Sequence, residues 1–290
     1  MCRLFGQHAH PGFDRCEPLC SAENALRFQS HRHPHGWGIG WYARGRVHLR
    51  RGTLAAHSDE AFVAAAHAAR SRIVVAHVRD ASVGPVAEVN THPFSWRRWL
   101  FAHNGTVARW RTVRRVREAI EAEIDPGLRP LVRGDTDSER CFYLFLSLLP
   151  ERARDGGGTV SEVRRALAGT TRIVQRIADR RGGKPSSLNF LVSDGRILAA
   201  CRRGRTLHVA ADAGPRHALV VASEPIGAAD WQEVPEGGFI ATEDGVAVLR
   251  HALLGGATRA PGWGSPAGNG PRSAARRPSR RAARAPAPTS

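Results

Sequence analysis

Hydrophobic periodicity changes twice along this chain, and the order of the changes limits the folds open to it. Short apolar or alternating runs come first, at Leu4-Phe5, Gly38 to Tyr42, Val47 to Leu49, Ile73 to Val78 and Trp99 to Ala102, and read as strands. One helical stretch lies among them, with Phe62, Ala65, Ala66 and Ala69 on one face. Helical spacing then takes over, from Val107 through Ile124 (Trp110, Val113, Val116, Ile120, Ile124) and from Val160 to Ile177, with Asp137 to Leu149 between them. Strands return at Ser187 to Val192 and Ile197 to Cys201 around the turn pair Asp194-Gly195, then at Ala218 to Ala222, Phe239 to Thr242 and Val246 to Leu249. Strands, helices, then strands predict an α+β domain with helices layered against sheets. No repeat of solenoid or propeller period interrupts this order.

With 290 residues and 42% hydrophobic content, the chain can build one large core. The composition places that core in a single domain of about residues 2–255. From Gly256 to Ser290, Pro, Gly, Ala, Ser and Arg dominate and Trp263 is nearly the only large apolar residue. So little apolar burial cannot offset the entropy of ordering, and residues 256–290 read as a disordered basic tail. The tail carries seven arginines and no acidic residue, which accounts for part of the net charge of +17. Lys184 is the one lysine in the chain, so the basic excess reads as an arginine-rich composition rather than as a nucleic-acid-binding domain.

Neither a run of about 18 apolar residues nor a secretion signal is present, which predicts a cytoplasmic protein without a membrane partner. The five cysteines include no CxxC pair, so no disulfide framework is expected. His8, His10, His31, His33 and His35, taken with Cys16 and Cys20, follow none of the usual zinc spacings, and their segments read as loops. No metal and no organic cofactor is expected.

Five residues carry chemistry. Cys2 directly follows Met1, and its small side chain suits removal of that methionine. The matured residue would hold a thiol and an α-amine of pKa about 7.7 to 8.0, a nucleophile together with its own base. Alone, the same cysteine reads as a small hydrophobe in a first strand. Arg79 ends the apolar run from Ile73 to Val78, where a guanidinium can hold a carboxylate through two parallel hydrogen bonds or simply pair with a nearby acid. Asn104-Gly105 ends another apolar run and is followed by helical rather than strand spacing, so the pair lies between strand and helix instead of in a hairpin. An amide from Asn104 and the N–H of Gly105 could donate to a tetrahedral oxyanion, where the loss of one donor costs about 3 to 4 kcal/mol. Thr136 and Glu139 have capping-box spacing, which puts Asp137 in the first turn of a helix with its carboxylate available to a substrate ammonium.

Met1-Cys2-Arg3-Leu4-Phe5-Gly6, His35-Gly36-Trp37-Gly38, His77 to Ser82, Asn90-Thr91-His92-Pro93-Phe94, His103-Asn104-Gly105 and Gly134 to Glu139 occur in the order seen in class II glutamine amidotransferases. From Cys2 to about Leu249 the chain resembles the YafJ-type branch of that family, which is also similar to the γ-glutamyl amidohydrolase of ergothioneine biosynthesis. The resemblance implies a four-layer αββα sandwich of two antiparallel sheets and no cofactor. It implies Cys2 as nucleophile, Asn104 and Gly105 as oxyanion hole, and Arg79 and Asp137 as partners of the substrate α-carboxylate and α-amine. Ser82, where relatives often carry Thr, and His92 are placed near the same carboxylate. His35 departs from the Asp common before Gly-Trp-Gly, and Asp80 departs from the residues common after the Arg.

The function implied is attack by Cys2 on glutamine or a γ-glutamyl amide, giving a thioester that is hydrolysed to glutamate with release of ammonia or an amine. One alternative is a dedicated hydrolase of a γ-glutamyl conjugate in a thiol-histidine pathway. Another is a catalytically silent scaffold whose tail binds nucleic acid weakly, an affinity that salt would erode steeply. No synthase domain is expected after Leu249, so any ammonia acceptor would be a separate synthase or a small molecule.

Overall fold

The computed structural model of the chain describes residues 2–9, 16–211, 219–244 and 247–253. The expectation for residues 256–290 lies outside them. In chain order the strands are β1 (Arg3–His8), β2 (Trp37–Ala43), β3 (Arg46–Gly52), β4 (Ile73–Val78), β5 (Phe94–Trp96), β6 (Trp99–Thr106), β7 (Ser187–Ser193), β8 (Ile197–Cys201), β9 (His208–Ala211), β10 (Leu219–Ala222), β11 (Trp231–Glu233), β12 (Gly238–Glu243) and β13 (Ala247–Ala252). The α-helices are α1 (Glu17–Cys20), α2 (Leu26–Gln29), α3 (Glu60–Ala68), α4 (Arg114–Ala122), α5 (Asp137–Ser147) and α6 (Val160–Ala178).

Among the described residues the strands form two antiparallel sheets, ordered β11-β9-β10-β1-β4-β2-β3 and β13-β12-β8-β7-β6-β5. Strands from before and after the helical middle of the sequence thus pair within each sheet. In the first sheet Phe5, Trp37, Ile39, Val74, Ala76 and Val78 point outward, onto a core closed by Leu19, Leu26, Phe62, Ala65 and Ala66 from α1, α2 and α3. In the second sheet Trp99, Phe101, Phe190, Val192 and Phe239 pack outward onto Phe142, Phe145, Val163 and Leu167 of α5 and α6. The result is helices, sheet, sheet, helices: the αββα sandwich.

The two inner faces approach closely because the first sheet presents glycine there. A Cβ on Gly6 would lie 2.8 Å from a Leu191 methyl, and one on Gly40 would lie 2.8 Å from the Leu100 methyls. β4 is buried along its whole length, as a strand covered on both faces must be.

Three expectations change. Asn104-Gly105 lies inside β6, paired with Asn189 and Leu188, rather than between strand and helix. The helix read from Val107 through Ile124 shrinks to Arg114–Ala122. The left-handed Arg109, at φ 59°, breaks the helical path, while the N–H groups before it go to Asp137 Oδ2 (Val107, 2.7 Å) and Ser186 Oγ (Ala108, 2.9 Å). His8 and Cys20, whose segments read as loops, end β1 and α1, and His10 lies outside the described residues.

Candidate active site

The site lies where β1, β4 and β6 present neighbouring ends. β1 pairs with β4 so that Arg3 faces Val78, and one step further along the register sets Cys2 opposite Arg79. The Cys2 thiol sits on the main chain of the next residue: Sγ accepts the Asp80 N–H at 3.3 Å and donates to the Asp80 carbonyl at 3.5 Å. Burial pushes the thiol above its ordinary pKa, against the lowering effect of the Asp80 N–H and the Arg79 charge. The thiolate therefore needs a base.

Arg79 is 2% exposed, and among the described residues no acid pairs with it. Its guanidinium is held by main-chain oxygens instead: Nη1 donates to Pro85 at 3.0 Å, and Nη2 donates to Val83 at 2.9 Å and Gly84 at 3.3 Å. The structural alternative for this arginine, a neutralising carboxylate, is absent among the described residues. Carbonyls fix the fork in place while leaving its charge uncompensated, which suits the reception of an anion.

Asn104 is buried and reaches the first sheet: its Nδ2 donates to Ser223 Oγ at 3.0 Å, and the same hydroxyl accepts the Leu4 N–H at 3.0 Å. Its Oδ1 has no partner among the described residues. Ser223 thus ties the strand that carries Cys2 to the amide of Asn104, a link between residues far apart in the chain that no sequence period announces. The Leu188 N–H bonds to Arg203 on the β8 side, so Gly105 and its opposite number Leu188 form a non-hydrogen-bonded pair. The Gly105 N–H therefore turns toward the edge of β6 that β5, ending opposite Phe101, does not cover. A Cβ at Gly105 would overlap the Ser187 carbonyl oxygen, so no side chain fits.

Asp137 opens α5. Thr136 caps the helix by accepting the Glu139 N–H at 3.2 Å. The Glu139 carboxylate reaches beyond the cap to the N–H groups of Gly134 (2.7 Å) and Arg133 (3.0 Å), so the box is wider than its spacing suggests. Asp137 accepts the Val107 N–H at 2.7 Å and the Ser138 N–H at 2.9 Å, and among the described residues no cation pairs with it. Backbone donors thus hold this buried carboxylate in place.

Ser82 is exposed, in the segment between Asp80 and the carbonyls that hold Arg79. His92 is buried: its ring lies 4.2 Å from that of His77 on β4 and 4.7 Å from that of Phe94. Desolvation holds His92 well below the ordinary imidazole pKa and lowers His77 to about 3, so both are neutral core groups at physiological pH. His35 lies at the rim, where its Nδ1 accepts the Ala81 N–H at 3.1 Å and stands 3.3 Å from the Asp80 carboxylate; the two departures from the family pattern thus meet beside Cys2. Among the described residues no group of three or more His, Cys, Asp or Glu is arranged to hold a metal ion, and no helix is long and apolar enough to cross a membrane.

A thiol at a strand end faces an arginine across one sheet, and Ser223 links the adjoining strand to Asn104 of the other, inside an αββα sandwich of the Ntn-hydrolase fold. Comparison with known proteins makes the class specific. Residues 1–219 match the family of class-II glutamine amidotransferases, and the chain belongs to that family of enzymes acting on amide bonds. The YafJ protein of Escherichia coli (strain K12), named as a glutamine amidotransferase, is 31% identical over 209 residues, which cover 69% of this chain and 73% of that protein. The gamma-glutamyl-hercynylcysteine sulfoxide hydrolase of Mycolicibacterium smegmatis is 29% identical over 218 residues, 74% of this chain and 80% of that one. Among solved structures, a class-II domain protein from Silicibacter pomeroyi shares the fold with a TM-score of 0.60 at 23% identity, over 88% of this chain and 100% of that chain. The glutamine phosphoribosylpyrophosphate amidotransferase of B. subtilis does so with a TM-score of 0.60 at 17% identity, over 87% of this chain and 49% of that one.

Proposed function

We propose that the chain hydrolyses glutamine or a γ-glutamyl amide through a thioester on Cys2. Removal of Met1 frees the α-amine, which takes the thiol proton that burial otherwise retains. The thiolate adds to the side-chain amide carbon. Asn104 Nδ2 and the Gly105 N–H then donate to the oxyanion. Collapse passes the proton from the Cys2 ammonium to the departing nitrogen, which leaves as ammonia or an amine. A γ-glutamyl thioester remains. Water, deprotonated by the same amine, hydrolyses it to glutamate and restores the thiol. Arg79 takes the substrate α-carboxylate and Asp137 the α-ammonium; in this reading Ser82 and His92 belong to the surroundings of the carboxylate.

The observation that supports the reading is the hydroxyl of Ser223, which accepts both the N–H of Leu4, two residues after Cys2, and the amide of Asn104. A Cys2→Ala variant is expected to lose glutaminase activity while keeping its fold. Full activity in that variant would remove the nucleophile from the account.

A second reading, hydrolysis of a γ-glutamyl conjugate of a thiol-histidine, is favoured by the similarity to the mycobacterial hydrolase. Turnover of such a conjugate at a higher kcat/KM than glutamine selects it. The chemistry on Cys2 is the same in both, and the acceptor of the released nitrogen, a separate synthase or a small molecule, distinguishes their use.

A further inference from the structure

Arg79 follows β4 and Asp137 opens α5, each beside a loop with no sequence relation to the other, yet an amino-acid substrate has a fixed distance between its α-ammonium and α-carboxylate. One buried side chain spans the two loops. Asn90, 0% exposed, donates from Nδ2 to the Pro85 carbonyl at 3.2 Å, the same oxygen that takes Arg79 Nη1 at 3.0 Å. Its Oδ1 accepts the Asp135 N–H at 2.9 Å, just before the cap of α5 and Asp137. The amide orientation is unambiguous, because a carbonyl can only accept and an N–H only donate.

Both loops approach the amide so closely that each is glycine at the contact. A Cβ on Gly84, at φ 70°, would stand 3.0 Å from Asn90 Nδ2, and one on Gly134 would overlap Oδ1. The hydrogen bonds run without a break from the Arg79 guanidinium through the Pro85 carbonyl and the Asn90 amide to the Asp135 N–H.

We propose that Asn90 is a positioning residue that sets the separation of Arg79 and Asp137 and thereby matches them to the α-carboxylate and α-ammonium that an α-amino acid carries on one carbon. The inference rests on the roles given to those two residues above. Asn90 touches no reacting atom, so its loss should weaken recognition of the two ends and leave the chemistry on Cys2 intact.

The test uses the full chain with Met1 removed and two reagents for Cys2. A glutamine-mimicking diazoketone amino acid requires both charged ends to be held, whereas iodoacetamide requires neither. In Asn90→Ala, which removes both hydrogen bonds, the glutamine KM and the diazoketone concentration for half-maximal labelling should rise about tenfold, the equivalent of one to two neutral hydrogen bonds. The limiting rates and the iodoacetamide rate should stay those of the parent. Asn90→Asp keeps the volume and the acceptor for Asp135 but sets a carboxylate oxygen against the Pro85 carbonyl; it should show the same split, and it serves if the alanine variant does not fold. Unchanged half-saturation in a folded variant overturns the proposal. So does a parallel fall with both reagents, which marks a scaffold role. If the parent itself takes no diazoketone on Cys2, the reading of the site as a glutamine site fails, not merely the role of Asn90.

Discussion

A thiol pressed against a strand end keeps its proton unless a base is built beside it, and the residue-scale account turns on that fact. Burial raises the pKa of Cys2, while the Asp80 N–H and the Arg79 charge pull it down. In the proposed mechanism the α-amine of a matured Cys2 is that base and needs no further side chain. Oxyanion stabilisation then separates from substrate binding. Asn104→Ala should lower kcat by about 10²- to 10³-fold with little change in KM, measured as steady-state glutaminase activity. A loss confined to KM would assign Asn104 to binding instead. Cys2, Arg79, Asn104 and Asp137 stand out in the sequence because each proposed task admits few side chains at such positions. Asn90 and Ser223 are not, since their value lies in hydrogen bonds across long sequence separations. Asn90 stood in view within Asn90-Thr91-His92-Pro93-Phe94 without a role, because only the fold sets the Pro85 carbonyl and the Asp135 N–H on either side of it.

Elements were read most accurately where burial is one-sided or complete. The runs behind β4, β7 and β8 and the spacing behind α3, α5 and α6 carry their own pattern. After Gly105 apolar spacing of helical period continues, but tertiary hydrogen bonds win. The first N–H groups are spent on Asp137 and Ser186, and the Arg109 guanidinium is anchored on the carbonyls of Ile177 and Ala178 at the end of α6. The short strands β5, β9 and β11 lie outside the runs that read as strands. The inner glycines of β1 and β2 make a sharper claim. Gly40→Val puts two methyls where Leu100 and Pro93 already pack, and should destabilise the fold by about 1 to 3 kcal/mol in urea denaturation. An unchanged midpoint would mean that the sheets are not in contact there.

At the scale of the whole molecule, buried histidines tie stability to pH. His77 is lowered to about 3, and His8 and His33 to about 4, from 6.5, in each case chiefly by desolvation. The unfolded chain takes up these protons below pH 6.5 while the folded chain refuses them, so the contribution is complete above that pH and is lost as pH falls toward 4 and 3. For His77 alone the slope is at most about 1.4 kcal/mol per pH unit. Denaturation midpoints should therefore be flat above pH 6.5 and fall below it; a midpoint constant down to pH 4 would contradict the buried, neutral state of these rings. The sandwich itself was legible from the order of periods and from the family motifs, whereas the sheet order was not, because β10 reaches β1 from the far end of the chain. The central claim concerns what the chain becomes on maturation, and mass spectrometry of the active enzyme after treatment with a glutamine-mimicking diazoketone tests it most directly. The account predicts a polypeptide without Met1 that carries the adduct on Cys2. An active, labelled enzyme that retains Met1, or an adduct on any other residue, would contradict it.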